Sequence, residues 1–288
     1  MTETVEALAP PGQSLGFRAV LRNRFLLRLL VDKEIQVRYR GSALGLLWSY
    51  IKPAVQFGVF YLAMGVFLQL NRNMPNYAIY LFSGMCLVNF FMETFGNAAR
   101  SIVGNGHLIK KIFLPRELFP VSSLFVAMVH FFPQVVVLLI ACLFSGWHPS
   151  LSQIAGIIAG TLLVGLFGLG LGLFFATADV FFRDAENIVD LINMVATWLS
   201  PVLYTWYMVQ SIAPGWVFSL YMANPITIGV ELFHFGFWLP TTDGSQTWTP
   251  PPHLMILWTP VALIVSILFL VVGDLLFKRF EGRFAQEL

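Results

Sequence analysis

Polar side chains are scarce in this chain, so the places where they recur at helical spacing are the first candidates for chemistry. The richest is Glu186–Tyr204, ENIVDLINMVATWLSPVLY, which has the length and apolar content of a membrane helix. At about 100° per residue, Glu186, Asp190, Asn193, Thr197, Ser200 and Tyr204 share one face. Ile188, Val189, Ile192, Val195, Ala196 and Leu199 share the other. A polar stripe costs free energy against lipid and must face protein or a watery path. Two readings stand: the helix lines a conduit, or the stripe is hydrogen-bonding glue between helices.

Other reactive constellations are missing. His107, His130, His148, His234 and His253 are scattered, with no HExxH or H-x3-H spacing. Cys86 and Cys142 lie in apolar runs and give neither a disulfide framework nor a metal spacing. Asp179, Asp184, Glu186 and Asp190 cluster, but Arg183 sits among them, which favours a salt-bridged loop over a metal site. There is no G-x-x-x-x-G-K-[ST] phosphate loop and no Asp-rich pair of the kind that holds magnesium. The chain is therefore expected not to be an enzyme by itself.

The elements that position these residues are membrane helices. A chain of 288 residues with 57% hydrophobic and 11% charged residues is no ordinary soluble domain. Its net charge of +2 gives no argument for nucleic acid. Residues 1–16 lack a basic start and an apolar core and are expected to be a cytoplasmic tail. In Phe17–Val37, Arg18, Arg22, Arg24 and Arg28 form a basic arc opposite Val20, Leu26, Leu27 and Leu30. That pattern predicts an amphipathic helix in the headgroup plane or packed on a partner. Arg38–Pro53 marks the membrane entry, and residues 17–50 form one region before a transmembrane domain over 51–277 and a tail over 278–288.

Six spans are expected, near Ile51–Leu70, Tyr77–Phe95, Leu118–Phe144, Leu151–Thr177, Glu186–Tyr204 and Leu254–Phe277. Tyr50, Phe57, Tyr61 and Met64 fall on one face of the first, where packing or a binding surface would use them. Gly156/Gly160 and Gly168/Gly172 in the fourth are spaced for close helix contact. Between the fifth and sixth, Pro214, Gly215, Pro225 and Gly229 cut the chain into pieces too short to cross, so two reentrant helices are expected on the outer side. Asn224-Pro225 reads as an N-cap followed by a first-turn proline. Sixteen of the seventeen Lys and Arg lie in the termini and in alternate loops, with only Arg72 opposite, which predicts both termini in the cytoplasm.

DKEIQVRYRGSALGLLWSYIKP (Asp32–Pro53) resembles the entry segment of ABC-type polysaccharide export permeases, the Wzm-like membrane subunits of O-antigen and teichoic-acid exporters. Further similar stretches follow in order: Asn89-Phe90-Phe91, HLIKKIFLPRELFP from His107, ADVFFRDAENIV from Ala178, LSPVLY from Leu199, ANP at Ala223, and FEGRFAQEL at the C-terminus. Within that family the chain looks most like actinobacterial members that move a galactan cell-wall precursor. Asp179 stands where Asn is common in the family, and Asp190 is more acidic than usual there.

The resemblance implies a homodimer of six-span subunits in the bacterial inner membrane. It implies two copies of a separate ATP-binding subunit, which would hold ATP and magnesium, and a polyprenyl-linked polysaccharide as cargo. It also implies that Ile102–Glu117 couples to that subunit through His107, Lys110, Lys111, Arg116 and Glu117, with a second contact at Thr177–Glu186 including Arg183 and Asp184. Spans one and five line the channel in such proteins, which assigns Tyr50, Phe57, Tyr61, Asp190, Asn193, Thr197, Ser200 and Tyr204 to its wall. Rings and hydroxyls suit a sliding glycan, since they bind weakly and repeatedly. Trp206, Tyr207, Trp216, Tyr221 and Trp238 would form an outer aromatic collar or an interfacial belt. Arg38 and Arg40 would contact a lipid diphosphate or simply anchor the entry segment. The rivals are a permease for a drug or small lipid, a membrane-embedded glycan or prenyl transferase, and a proton-coupled transporter using Asp190.

Overall fold

A computed structural model describes residues 20, 22–111, 114–242 and 249–288. The expected tail (1–16), the start of the amphipathic helix with Arg18, Ile112-Phe113 of the coupling element and 243–248 lie outside the described residues. Among the described residues the fold is all-helical with no strand. Helix α1 is Arg24–Tyr39, α2 is Trp48–Phe60 and continues as a widened turn to Phe67, and α3 is Leu70–Asn73. The long helices follow: α4 Tyr77–Gly104, the short α5 Gly106–Lys111, α6 Leu118–Phe144 and α7 Leu151–Phe181. Then come α8 Ala185–Ala196, α9 Trp206–Ile212, α10 Gly215–Ala223, α11 Pro225–Phe233, α12 Thr259–Phe280 and α13 Phe284–Glu287. Five helical segments are long and apolar enough to cross a membrane: Gly45–Phe67, Tyr77–Gly104, Leu118–Phe144, Leu151–Phe181 and Leu254–Glu287.

Helix α7 is the hub. Ser150 and Gln153 start it with a reciprocal capping box. Its glycines then face three different neighbours. A Cβ on Gly172 would stand 2.5 Å from Ala98 Cβ of α4, and one on Gly170 would stand 2.5 Å from the backbone nitrogen of Leu270 in α12. A Cβ on Gly160 would stand 3.2 Å from the carbonyl of Gly229 in α11. The spacing of small residues expected to bring helices together thus serves packing inside the chain. Gly170 and Gly273 meet backbone to backbone, where no side chain can rotate out of the way. Gly170→Leu should cost at least the ~1–3 kcal/mol of ordinary overpacking. Loss of the monodisperse peak on size-exclusion chromatography in detergent is expected, and a normal peak would contradict this packing.

The fifth span differs from expectation. Helix α8 ends at Ala196, 12 residues and about 18 Å long, and turns carry the chain to Tyr204. Pro201 supplies no N–H to the carbonyl of Thr197 and disfavours helical backbone at Ser200. The Ser200 hydroxyl donates instead to the carbonyls of Ala196 (2.8 Å) and Thr197 (3.3 Å). A single helical face from Glu186 to Tyr204 therefore does not exist.

Gly215–Ala223 and Pro225–Thr241 meet at 74°, so this pair is one broken span or a reentrant loop. Asn224 sits at the bend, its side chain accepting from the Ile226 N–H with Pro225 in the first turn, as the sequence predicts. All of Pro225–Phe233 is buried, so the second leg runs through the core of the bundle.

The basic segments meet at one end. Val20 and Leu30, Ile102 and Ile109, Leu118 and Phe119, and Phe277 and Phe284 share one apolar cluster there. Helix α1 does not merely lie across this end. Lys33 Nζ donates to Asn105 Oδ1, Glu34 accepts from Ser122, and Arg38 reaches Glu93. Within two turns its contacts advance about 18 Å along α4, so the C-terminal half of α1 climbs beside the bundle. Its apolar Leu26 and Leu27 face inward, while Phe25 and Leu29 stand exposed among the arginines.

Candidate functional site

The polar stripe of α8 is turned toward α4. Arg100 Nε donates to Glu186 Oε1 at 2.7 Å and its NH2 group to Asp190 Oδ1 at 2.5 Å. Asn193 lies over Gly96, where a Cβ would meet its Nδ2 at 3.0 Å. Thr197 and Ser200 are buried, and the Tyr204 hydroxyl donates to the carbonyl of Trp198. Arg100 is one third exposed, so each of these pairs contributes only about 0–1 kcal/mol. Leu191 and Met194 of α8, and Trp198 and Leu199 in the turns after it, are exposed, as are the outer parts of Glu186 and Asp190.

The aromatic face of the first span behaves alike. Phe57 stacks on Tyr61 and meets Phe82 of α4 edge-on, and Tyr61 approaches Tyr77. Tyr50 is half-buried near the start of the helix. Val55, Val59, Leu62 and Val66 point outward, and only 6% of this span's most apolar window is buried in the chain. The aromatic face of the first span and the polar side chains of α8 thus make contacts to α4, while Glu186, Asp190 and aliphatic side chains of both helices remain exposed.

At the basic end, His107, Lys110 and Lys111 on α5 are exposed, as are Arg183 and Asp184 before α8. Arg116 and Glu117 turn inward. The Arg116 guanidinium lies 5.9 Å over the ring of Phe284, and Glu117 is wholly buried, its carboxylate without a hydrogen-bond partner among the described residues. Leu288 packs 3.6 Å from the Cβ position of Gly106, so the tail braces α5. Burial pushes the Glu117 carboxyl above its ordinary value of 4.5, and Asp274 nearby pushes the same way. The folded state then favours the neutral acid, and stability falls as pH rises from 4.5 through the raised value. Glu117→Gln should melt higher than the parent at pH 7 and equally at pH 4. A lower melting temperature at pH 7 would contradict a costly buried carboxylate.

On the opposite side of the molecule the aromatics do not form a ring. Trp206 is buried and donates to the carbonyl of Thr249, Tyr207 and Trp216 are exposed, and Tyr221 stacks on Phe218. Trp238 is in the core, its indole N–H donating to the carbonyl of Pro75.

Sequence reasoning missed one polar centre. Arg38 NH1 lies 2.5 Å from Glu93 Oε1, and His130 Nδ1 lies 2.6 Å from the same oxygen. With Nδ1–H donating to Glu93, the other ring nitrogen, Nε2, lies 2.9 Å from the Tyr39 hydroxyl. Tyr39 also touches Ser49. The end of α1, the start of α2, and the middles of α4 and α6 are joined here. Beside the network opens a cavity of about 520 Å³ lined by Arg38, Trp48, Lys52, Asn89, Glu93 and Gln134, among others. Arg40 is exposed and does not line it. A signal existed: Glu93 is the one acidic residue of α4, and His130 is the one histidine of α6.

These helices match known proteins over most of their length. The family model for ABC-2 type transporters matches residues 26–238. An O-antigen export system permease protein from Klebsiella pneumoniae is 27% identical over 263 residues, covering 91% of this chain and 95% of the relative. One of the same description from Myxococcus xanthus is 30% identical over 193 residues, 65% of this chain and 71% of the relative. A capsule polysaccharide export inner-membrane protein from Neisseria meningitidis is 21% identical over 270 residues, 91% of this chain and 94% of the relative. An all-helical multi-span chain matched by the family model from α1 to the second leg of the bent pair is a transport component: it belongs to the ABC-2 type transporter family.

Proposed function

We propose that this chain is the membrane-spanning subunit of an ATP-driven exporter of a lipid-linked polysaccharide. The observation that carries the reading is the near full-length similarity to relatives described as O-antigen and capsule polysaccharide export proteins. Two copies of the chain would stand side by side, with two copies of an ATP-binding subunit on the basic end. The first span supports the pairing, since it is hardly covered within one chain. The gathering of α1, α5 and α13 at one end supports a cytoplasmic location for both termini. Exposed Lys110, Lys111, Arg183 and Asp184 are the contacts available to the ATPase, with Arg116 and Glu117 acting from behind as braces. The conduit is assigned to the space between copies, bounded by α2 and α8. The cargo expected from the resemblance is a cell-wall galactan precursor in a bacterial plasma membrane.

Depleting the chain in cells tests the reading. A polyprenyl-linked glycan should build up on the cytoplasmic side, and its sugars identify the cargo. Unchanged glycan outside, with no accumulation inside, would leave a small-lipid or drug exporter as the better account.

A further inference from the structure

We propose that the cavity beside Glu93 is a binding site for a glycosyl phosphate, a hydroxyl-bearing sugar ring joined to a phosphate. The proposal rests on the export reading above and adds a specific entry site to it. Three observations point to this chemistry. First, Gln134 lines the cavity at 8% exposure, its Nε2 donating to the carbonyl of His130 at 3.1 Å while Oε1 has no partner among the described residues. A buried acceptor without a donor is costly, and a turn of the side chain into the cavity would let a ligand hydroxyl or amide N–H satisfy it. Second, Lys52 stands on the rim, and among the described residues no carboxylate lies within ion-pair distance of it. Arg38 is already held by Glu93, so Lys52 is the cation available to an incoming phosphate. Third, Trp48 lines the same cavity and is 43% exposed, offering an aromatic face to the C–H face of a sugar ring. The volume falls within the ~300–1,000 Å³ of ordinary ligand pockets.

Position fits the chemistry. Helix α4 has 28 residues and is about 42 Å long, so its basic end projects roughly 12 Å beyond a ~30 Å hydrocarbon core. Glu93, 16 residues and about 24 Å from Tyr77, then lies about one helical turn inside the boundary on the basic side, within side-chain reach of a lipid headgroup. The cavity reads a sugar through Gln134 and Trp48 and a phosphate through Lys52, with the Arg38–Glu93–His130 network fixing its wall. The same hydroxyl-and-phosphate chemistry could come from a lipid-linked glycan or from a phospholipid such as phosphatidylglycerol.

The full chain in phosphatidylcholine nanodiscs should be titrated with a short-chain prenyl phosphosugar by calorimetry. Binding is expected, with at least tenfold weaker affinity for the prenyl phosphate lacking the sugar. Gln134→Leu and Lys52→Ala should each weaken phosphosugar binding about tenfold, and Arg72→Ala, at an exposed residue away from the cavity, should leave it unchanged. Lys52 is on the rim, so its variant stays informative if Gln134→Leu misfolds. Equal affinity for prenyl phosphate with and without the sugar would overturn the proposal. So would full competition by phosphatidylglycerol, or unchanged binding in the Lys52 variant. The two readings fail separately. Glycan build-up on depletion with no probe binding would sink the cavity and keep export, whereas probe binding without build-up would do the reverse.

Discussion

Glu93→Ala should release the entry segment from the bundle. The substitution leaves Arg38 without its carboxylate and the His130 Nδ1–H, on a ring only 3% exposed, without an acceptor. Breaking a buried charge pair costs ~3–5 kcal/mol, and Glu93 and Arg38 are partly exposed, so about 2–3 kcal/mol is expected here. Glu93 ties α1 to α4 and, through His130 and Tyr39, to α6 and the start of α2. Limited proteolysis should therefore cut the 40–47 linker faster in Glu93→Ala, while the long helices stay protected. Glu93→Gln keeps an acceptor and should fall between the two. Parent-like cleavage in Glu93→Ala would show that α1 is held by its apolar face alone.

The second large effect separates two sides of α8. Bulky substitution at Ser200 would be the natural test of a conduit wall if the polar stripe faced a channel. Ser200 is instead wholly buried, and its hydroxyl closes the end of the helix. Ser200→Trp should lower the folded yield severely, since an indole in place of a wholly buried hydroxymethyl group must displace its packed neighbours. Met194, 63% exposed, is on the open face. Met194→Asp should fold but lose the pairing of copies and export, because a carboxylate in a helix interface or in lipid costs ~2.5–3.5 kcal/mol. Cross-linking in membranes reads the pairing directly. A well-folded Ser200→Trp that only blocks export would return the polar face to the conduit, and a paired, active Met194→Asp would remove the open face from the interface.

The sequence was most legible where hydropathy alone decides. The third span has the predicted bounds, Leu118–Phe144, and the fourth starts at the predicted Leu151. The second begins at the predicted Tyr77 but continues past Phe95 to Gly104. Asn97 and Arg100 end the apolar run without ending the helix, because a projecting turn needs no apolar surface. The Asn224-Pro225 cap was readable because its chemistry is local. The fifth span was misjudged because an angular count carries straight through Pro201, which the backbone cannot do. The partner of its stripe, Arg100, lies 86 residues from Glu186, and no local pattern connects them. Glu93 and His130 were hidden for the same reason, being 37 residues apart on different helices. Aromatic spacing at Phe57 and Tyr61 was read correctly as a face, while what that face meets depended on the fold.

The most direct test of the central claim is transport in proteoliposomes holding the chain with its ATP-binding subunit. A lipid-linked glycan is loaded on the face carrying the ATPase, and a membrane-impermeant lectin then reports glycan on the other face. The account predicts that glycan appears there only with hydrolysable ATP and only when both subunits are present. Glycan crossing with the chain alone, or ATP turnover that leaves the glycan in place, would contradict it.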